Sequence, residues 1–260
     1  MIDLDPLPPA DPRGFPLHAA LAAAAACKAA YAPVPHSNTT RVLYRNDSAD
    51  LTWCGHAKHL IIAVRGSDDR ADWWSNLDAS HIPLITGSGN TGLRVHRGFY
   101  ESSLGLARNI FNAAAQITDR DFPRKVTLTG HSRGAGIVPH VAMQLGFPGF
   151  PCVQSFLFGA PRTGNRAWAA EYDAAFPDTW RVVNCGDLVT RLPRPWMSYW
   201  HVGRFAYIDR RRKVHTAATG YPRITADRLF ASLNDIGRPG VASIRAHYID
   251  AYMAALGAAT

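Results

Sequence analysis

A glycine-flanked serine at the junction of a strand-like run and a helix-like run constrains this fold more than any other feature of the sequence. Residues 125–129 (KVTLT) are rich in β-branched side chains and predict a buried strand, whereas the small, apolar residues from Ala135 onward predict a helix. The pentapeptide between them, residues 130–134 (GHSRG), fits the pattern G-x-S-x-G. A sharp turn from strand to helix projects the serine hydroxyl from the sheet and aims the helix N–H groups at that position. The pattern therefore predicts that Ser132 is a nucleophile, with an ordinary turn serine as the simpler alternative.

Strand-like and helix-like segments alternate through the middle of the chain, which is typical of a mainly parallel sheet covered by helices on both faces. Buried-strand patterns lie at residues 59–64, 154–158 and 180–184, besides the one before Ser132, and helical periodicity covers residues 99–117. We therefore predict an α/β fold with antiparallel strands at the ends of its sheet. These end strands are expected at residues 41–45, 51–54, 204–208 and 213–216.

The length and composition of the chain favour a single domain, residues 1–260, that begins with a Pro-rich tail at residues 1–16. Of the 260 residues, 47% are hydrophobic and 18% are charged, so the chain can bury a sizeable core. The formal net charge of +8 favours anionic surfaces, but the basic run at residues 210–213 also fits a solvated hairpin turn. Because no nucleic-acid-binding motif accompanies these charges, we expect no nucleic-acid partner, and the sequence leaves the oligomeric state open.

Residues 17–32 are rich in alanine and could be mistaken for a targeting segment. They are too short to span a bilayer, and acidic residues and prolines precede them instead of the basic residues of a signal peptide. We therefore predict a first helix and no transmembrane segment, which leaves the cytoplasm and export by another route as alternatives. The cysteines Cys27, Cys54, Cys152 and Cys185 lack metal-binding spacing, so we expect reduced thiols or, after export, one or two disulfides.

A nucleophilic serine needs a base, and the base needs a carboxylate that orients it. In α/β sheets of this kind the chain order is Ser, then Asp or Glu, then His, each placed after a strand. Asp187 closely follows the strand pattern at residues 180–184 and fits the position of the acid. His247 follows the last strand and is the favoured base. His215 in the late hairpin is its competitor. We expect His201 to pack against the acid loop, which is the segment at residues 184–193 that contains Asp187.

The oxyanion that forms during acyl transfer needs two hydrogen-bond donors. The residue after the nucleophile, Arg133, is expected to supply one backbone N–H. Ser67 ends the strand pattern at residues 59–64 and is the best candidate for the second donor. None of these groups requires a cofactor or a metal ion.

Together these features resemble the class 3 (fungal-type) triacylglycerol lipase family, in the order in which that family presents them. The resemblance extends over residues 59–252 and implies an α/β-hydrolase fold without cofactor or metal. The similar segments are residues 64–67 (VRGS), 95–99 (VHRGF), 130–134 (GHSRG), 158–165 (FGAPRTGN), 184–193 (NCGDLVTRLP), 199–203 (YWHVG) and 246–252 (AHYIDAY).

The resemblance implies a carboxylic ester hydrolase, and most directly a lipase that cleaves acylglycerols through an acyl-enzyme. A phospholipase A1 and a short-chain or feruloyl-type esterase are alternatives within the same chemistry. A non-catalytic lipid-binding or effector module on a lipase scaffold is an alternative from a different class. The presence of Ser132, Asp187 and His247 argues against that last alternative.

The family also implies a lid directly after the oxyanion residue, which corresponds here to residues 68–77. Trp73, Trp74 and Leu77 in this segment have the amphipathic or apolar side chains that favour a lipid–water interface. Packing in the core is the alternative role for these three residues.

The sequence departs from the family pattern at two positions beside the predicted site. Arg133 stands where the family often has leucine, so a long cation is expected near the nucleophile. Ala246 stands where the family often has aspartate before the catalytic histidine.

Glycine, proline and periodicity give three further local predictions. Residues 87–92 satisfy G-x-G-x-x-G but do not open a helix, so we predict a flexible loop and no nucleotide site. Pro139 predicts a kink or an early end of the helix that follows Ser132. Residues 241–256 predict one C-terminal helix that carries His247.

Overall fold

A computed structural model of the chain supplies the fold. The structure describes residues 14–31, 41–45, 49–54, 59–66, 80–86, 89–114, 125–146, 153–216, 227 and 241–259. Three predictions lie outside these residues: the oxyanion residue Ser67, the lid at residues 68–77 and most of the N-terminal tail.

Ten strands, six α-helices and two short 3₁₀ helices, Val189–Arg191 and Pro195–Met197, form the described part of the chain. The strands are β1 (Arg41–Arg45), β2 (Ala49–Cys54), β3 (His59–Val64), β4 (His81–Thr86), β5 (Gly89–His96), β6 (Lys125–His131), β7 (Val153–Phe158), β8 (Thr179–Asn184), β9 (Arg204–Ile208) and β10 (Val214–His215). The helices are α1 (Leu17–Ala29), α2 (Arg97–Ala114), α3 (Arg133–Leu145), α4 (Arg166–Ala175), α5 (Val241–His247) and α6 (Ile249–Gly257).

Eight strands form the central sheet, in the spatial order β1-β2-β3-β6-β7-β8-β9-β10. The five strands from β3 to β9 in this order run parallel, whereas β1, β2 and β10 pair antiparallel at the two ends. The predicted α/β fold is therefore confirmed, including its antiparallel ends. Because parallel strands end at the same edge of a sheet, the segments that follow β3, β6, β7 and β8 meet at one edge.

Alternating side chains divide the core into two layers, one on each face of the sheet. In β7, Leu157 packs into the layer that contains residues of α2, α3 and α4, whereas Phe156 and Phe158 pack into the layer of α1 and α6. Small residues of α1, among them Ala20 and Ala24, are fully buried in the second layer. Alanine side chains let α1 lie close to the sheet, which explains the alanine-rich composition of this helix.

The helices are short or polar enough that none in the described part of the chain could cross a membrane. Residues 210–213 form the exposed turn between β9 and β10, as predicted for the basic run. Cys27 and Cys185 are free thiols, and burial raises the pKa of Cys27 to about 12 although its sulfur contacts the Thr129 hydroxyl at 3.0 Å.

The prediction of a flexible loop at residues 87–92 was wrong for the residues that the structure describes. Gly89 begins β5, which pairs antiparallel with β4 in a separate two-stranded sheet. The strand signal is the alternation of buried Leu93 and Val95 with exposed Arg94, and the glycines before it concealed this pattern.

Pro139 does not end the helix after Ser132, since α3 continues to Leu145. Nine consecutive residues of this helix, 134–142, are buried. Their burial outweighs the loss of one backbone hydrogen bond, a cost of about 3 kcal/mol in a regular helix.

The predicted single C-terminal helix is two helices that meet at Tyr248, whose backbone is extended at φ −62° and ψ 141°. Two distant side chains hold the carbonyls that end α5. The Asn184 amide donates to the Ala246 carbonyl at 2.9 Å, and the His131 ring nitrogen Nε2 lies 2.6 Å from the His247 carbonyl oxygen. These partners replace the hydrogen bonds that a continuous helix would have made.

Candidate active site

Ser132 occupies the turn between β6 and α3 in a backbone conformation that side-chain-bearing residues rarely adopt, with φ 59° and ψ −127°. Its N–H donates to the Phe158 carbonyl at 3.0 Å, which ties the turn to the end of β7. The flanking glycines are required by space. A Cβ at Gly130 would lie 2.6 Å from the Gly134 carbonyl carbon, and a Cβ at Gly134 would collide with the Val64 backbone.

Asp187 lies three residues after the end of β8, and its buried carboxylate accepts three hydrogen bonds. Oδ2 accepts from His247 Nδ1 at 2.8 Å and from the Tyr252 hydroxyl at 2.6 Å, while Oδ1 accepts from the Val189 N–H at 2.9 Å. Burial alone would raise the pKa of Asp187, but attraction to His247 and these hydrogen bonds outweigh it and hold the pKa below its ordinary value. Asp187 is therefore an anion fixed against one nitrogen of the His247 ring.

His247 is the last residue of α5, immediately before the break at Tyr248. Its imidazole is buried, and Nδ1 faces Asp187. In a serine hydrolase the acid binds Nδ1 of the base, and the opposite nitrogen Nε2 takes the serine proton. The orientation of His247 is the one that this chemistry needs.

Gly159 connects the acid–base pair to the serine turn. A Cβ at this position would lie 2.8 Å from His247 Cε1 and 2.9 Å from Asp187 Oδ2. The preceding residue, Phe158, accepts the hydrogen bond from the Ser132 N–H. The structure thus brings Ser132, Asp187 and His247 to the carboxyl edge of the sheet, around the end of β7.

The Arg133 side chain is directed toward α2. Its Nη2 donates to the Ser102 hydroxyl at 2.6 Å, and Ser102 donates in turn to the Gly98 carbonyl at 2.7 Å. Burial lowers the pKa of Arg133. The expected cation beside the predicted nucleophile therefore has a hydrogen-bond partner on α2. The Arg133 backbone lies in the first turn of α3, where an oxyanion donor is predicted.

Ser67 lies outside the described residues, but Gly66 immediately before it lies beside the nucleophile. A Cβ at Gly66 would be 3.2 Å from Ser132 Cβ and 2.8 Å from the His131 carbonyl oxygen. This close approach requires glycine and places the end of the β3 segment against the serine turn. The predicted lid residues Trp73, Trp74 and Leu77 also lie outside the described part of the chain.

The competing histidine, His215, contacts a different carboxylate. Its Nε2 lies 2.9 Å from Asp209 Oδ2, and Asp209 also accepts from the backbone N–H groups of Arg211 and Lys213. His201 is buried, and its expected packing against the acid loop stays a prediction. Within the described ranges, no group of three or more His, Cys, Asp or Glu side chains could hold a metal ion.

Sequence reasoning missed two tyrosines that bind the site. Tyr252 donates to Asp187 and accepts from the Asn184 N–H at 3.1 Å. It lies in the segment 246–252, so its motif could have indicated it. Tyr31 follows α1, and its hydroxyl contacts both the Gly66 N–H and His131. No pattern around Tyr31 predicts these contacts, because both partners come from distant strands.

Solved structures with the same fold include a mutant of MDLA from Penicillium cyclopium, with a TM-score of 0.66 and 21% sequence identity, which covers 94% of this chain and 96% of that chain. The Rhizomucor miehei triacylglyceride lipase has a TM-score of 0.63 and 23% identity, and covers 82% of this chain and 91% of that one. These similarities confirm the α/β-hydrolase fold.

Curated relatives are similar over part of their length. The secreted mono- and diacylglycerol lipase 1 of Fusarium solani is 30% identical over 154 residues, which are 58% of this chain and 44% of the relative. The chloroplastic phospholipase A(1) DAD1 of Arabidopsis thaliana is 32% identical over 163 residues, or 56% of this chain and 36% of the relative. The chain thus spans less than half of the length of either relative.

The family match covers the residues that build the site up to the acid loop. Residues 61–196, just over half of the chain, match the family Lipase (class 3). This span includes Ser132 and Asp187, and His247 follows it in the order that the fold requires. The chain belongs to the class 3 lipase family.

Proposed function

We propose that this chain is a serine carboxylic ester hydrolase that cleaves acylglycerols. The observation that carries the proposal is the buried Asp187–His247 pair beside the strained turn of Ser132. The family match and the acylglycerol lipase among the relatives support it.

In the proposed reaction, the Ser132 hydroxyl attacks the ester carbonyl while His247 Nε2 accepts its proton. The backbone N–H groups of Arg133 and Ser67 stabilise the oxyanion, and the loss of one such donor typically lowers turnover about 100- to 1,000-fold. His247 then protonates the leaving alcohol. Water next attacks the acyl carbonyl while His247 accepts its proton, and the carboxylic acid leaves as His247 returns that proton to the Ser132 oxygen. Asp187 holds the imidazole in the required tautomer and stabilises its cationic form.

A lipid–water interface is the proposed setting of this reaction. Exposed large apolar side chains lie in the two segments that supply the acid and the base: Trp196 and Met197 follow Asp187, and Ile244 and Tyr248 flank His247. Such side chains favour contact with lipid. As further parts of the proposal, residues 68–77 act as a lid over the site, and residues 1–260 fold as one domain.

Phospholipase A1 activity is the second candidate, because a phospholipase A(1) is among the relatives and the chain carries a net charge of +8. Positive charge favours anionic phospholipid surfaces.

We also propose that this chain is exported, because the similar lipase of Fusarium solani is a secreted protein.

Hydrolysis of esters from acetyl to palmitoyl, of a triacylglycerol emulsion and of phospholipid vesicles tests the proposal, with wild type and Ser132→Ala compared throughout. We expect activity that rises with acyl length, increases at the emulsion interface and is lost in the variant. Activity confined to short soluble esters would make the protein an esterase, and preference for vesicles a phospholipase. If no substrate gives serine-dependent activity, the proposal of an enzyme fails and the alternative of a non-catalytic lipid-binding or effector module is favoured.

A further inference from the structure

A hydrogen-bonded path joins the segment before the predicted oxyanion residue to the backbone of the proposed base. The Gly66 N–H donates to the Tyr31 hydroxyl oxygen at 2.9 Å. That hydroxyl lies 3.1 Å from His131 Nδ1, and His131 Nε2 lies 2.6 Å from the His247 carbonyl oxygen. Two side chains thus bridge elements that are far apart in sequence.

The chemistry of the end groups determines which partner donates in each hydrogen bond of this path. A carbonyl oxygen only accepts, so His131 Nε2 must carry the proton that binds His247. In the neutral imidazole, His131 Nδ1 is then an acceptor, and the Tyr31 hydroxyl donates to it. The Tyr31 oxygen can still accept from the Gly66 N–H. Each group therefore fills a role that its neighbour requires.

This hydrogen-bonded path runs beside Ser132 but does not include the Ser132 side chain. His131 immediately precedes Ser132 in the chain, and a Cβ at Gly66 would lie 3.2 Å from Ser132 Cβ. The Tyr31 ring meets the His131 ring edge to face at 6.1 Å, and the Arg65 guanidinium lies 5.3 Å from the Tyr31 ring centroid. Packing on several sides fixes the position of the Tyr31 hydroxyl.

Helix α1 provides the rigid base from which Tyr31 reaches the site. Ala24 and Cys27 in this helix are buried against the sheet, and the Cys27 sulfur contacts the hydroxyl of Thr129 in β6. Tyr31 follows the end of α1 by two residues, so its hydroxyl is held relative to the strand that carries Ser132.

We propose that Tyr31 and His131 are positioning residues that fix the separation between the oxyanion-binding segment and His247. The inference rests on the proposed function. Neither residue is assigned a contact with substrate. Tyr31 acts on the oxyanion segment through the Gly66 N–H, and His131 acts on the base through the backbone that ends α5. A displacement of about 1 Å at a reacting group can lower turnover roughly 100-fold, which gives such a path its catalytic weight.

Three variants separate the two halves of the path. Tyr31→Phe removes the hydroxyl and both of its hydrogen bonds. His131→Gln keeps a donor at the position of Nε2 for the His247 carbonyl but loses the acceptor for Tyr31. His131→Asn keeps an acceptor near Nδ1 for Tyr31 but loses the donor to His247.

We expect Tyr31→Phe and His131→Gln each to lower kcat on a soluble ester about 10-fold with little change in KM, because both release the oxyanion segment. The double variant should be no slower than the slower single variant, since both changes break the same link. His131→Asn should lower kcat further and also alter the pH profile of kcat, because it releases the base.

Tyr172→Phe is the matched control, because it removes a buried tyrosine hydroxyl, which contacts the Thr179 hydroxyl at 3.0 Å, and leaves the path intact. It should lower the Tm without lowering the kcat of the folded protein. Wild-type kcat in Tyr31→Phe, multiplicative effects in the double variant, or an equal loss of kcat in Tyr172→Phe would overturn the inference while wild type remains active. If wild type hydrolyses no ester, the proposed function fails and this inference with it.

Discussion

The described part of the chain contains two His–Asp pairs with nearly the same length, and their surroundings differ. His247 Nδ1 lies 2.8 Å from Asp187 Oδ2, and His215 Nε2 lies 2.9 Å from Asp209 Oδ2. Both aspartates lie within three residues of the ends of neighbouring parallel strands, Asp187 after β8 and Asp209 after β9. Position after a strand therefore does not distinguish a proposed catalytic pair from a structural one.

Three features separate the pairs. The first is the ring nitrogen used, because a contact through Nδ1 directs Nε2 of His247 away from the acid, whereas His215 uses Nε2 for Asp209 itself. The second is burial, since the His247 and Asp187 side chains are 3% and 0% exposed and the His215 side chain is 12% exposed. The third is the set of hydrogen-bond donors that each carboxylate binds. Asp209 binds N–H groups of its own hairpin turn, whereas Asp187 binds groups that hold the segment around His247.

Removal of each histidine in turn gives the largest predicted contrast. His247→Ala should lower kcat roughly 10⁴- to 10⁶-fold, as expected for loss of the base in a serine hydrolase. His215→Ala should leave kcat within about a factor of two, because His215 belongs to the β9–β10 hairpin. Ester hydrolysis by purified, folded variants measures both effects, and the reverse result would transfer the role of the base to His215.

Replacement of each aspartate by asparagine sharpens the contrast. Asp187→Asn should lower kcat about 10⁴-fold, because an amide facing Nδ1 favours the wrong tautomer of His247. Asp209→Asn should leave kcat unchanged and lower the free energy of unfolding by about 1 kcal/mol, since an amide oxygen can still accept from the turn. Kinetics and urea unfolding give the two numbers. Equal kcat losses in the two variants would show that the pairs do not differ in role.

Tyr252→Phe tests whether the second hydrogen bond to Asp187 matters for turnover. Loss of the hydroxyl leaves the carboxylate with fewer donors and the Asn184 N–H without its acceptor, so we expect kcat to fall about 3- to 10-fold and stability by roughly 1–3 kcal/mol. Tyr207→Phe is the matched control, because Tyr207 donates to Asp227 beside the second pair at 3.3 Å. Its kcat should equal that of wild type.

A third histidine, His140, is buried against aromatic rings and is predicted to affect unfolding in acid. His140 lies 4.5 Å from the Trp168 ring centroid, and burial, with repulsion from His96, lowers its pKa to about 3. The unfolded chain binds a proton at His140 below about pH 6.5 and the folded chain does not, so stability falls with pH in that range. One such group contributes a loss of about 2 kcal/mol between pH 6.5 and 5.

His140→Gln should therefore reduce the mean slope of unfolding free energy against pH between 6.5 and 5 by about 1 kcal/mol per pH unit. Urea unfolding at several pH values measures the slope. An unchanged slope would mean that His140 does not bind a proton on unfolding in this range.

Local pattern was sufficient for the elements that carry the nucleophile and the acid, because buried strands leave a compact signal in sequence. The strands before Ser132 and Asp187 are predicted at residues 125–129 and 180–184 and lie at Lys125–His131 and Thr179–Asn184. Asp187 is proposed as the acid because it follows a strand. His247 is proposed as the base from chain order among three histidines, since nothing local to His247 distinguishes it.

The rest of the site depends on partners that are distant in sequence. The break at Tyr248 is held by Asn184 and His131, and a helical pattern cannot reveal donors from other strands. Tyr31 follows an alanine-rich helix, and only the folded chain brings its hydroxyl to Gly66. These contacts are set by tertiary structure and not by local propensity, which explains why the sequence did not predict them.

The rate at which a fluorophosphonate probe modifies Ser132 tests the central claim most directly, because the probe reacts with serines activated by a base. Intact-mass and peptide analysis should show one adduct, on Ser132, formed rapidly in wild type and His215→Ala and at least about 100-fold more slowly in His247→Ala. Equal labelling rates in wild type and His247→Ala, or an adduct on another serine, would contradict the assignment of the Asp187–His247 pair as the activating device.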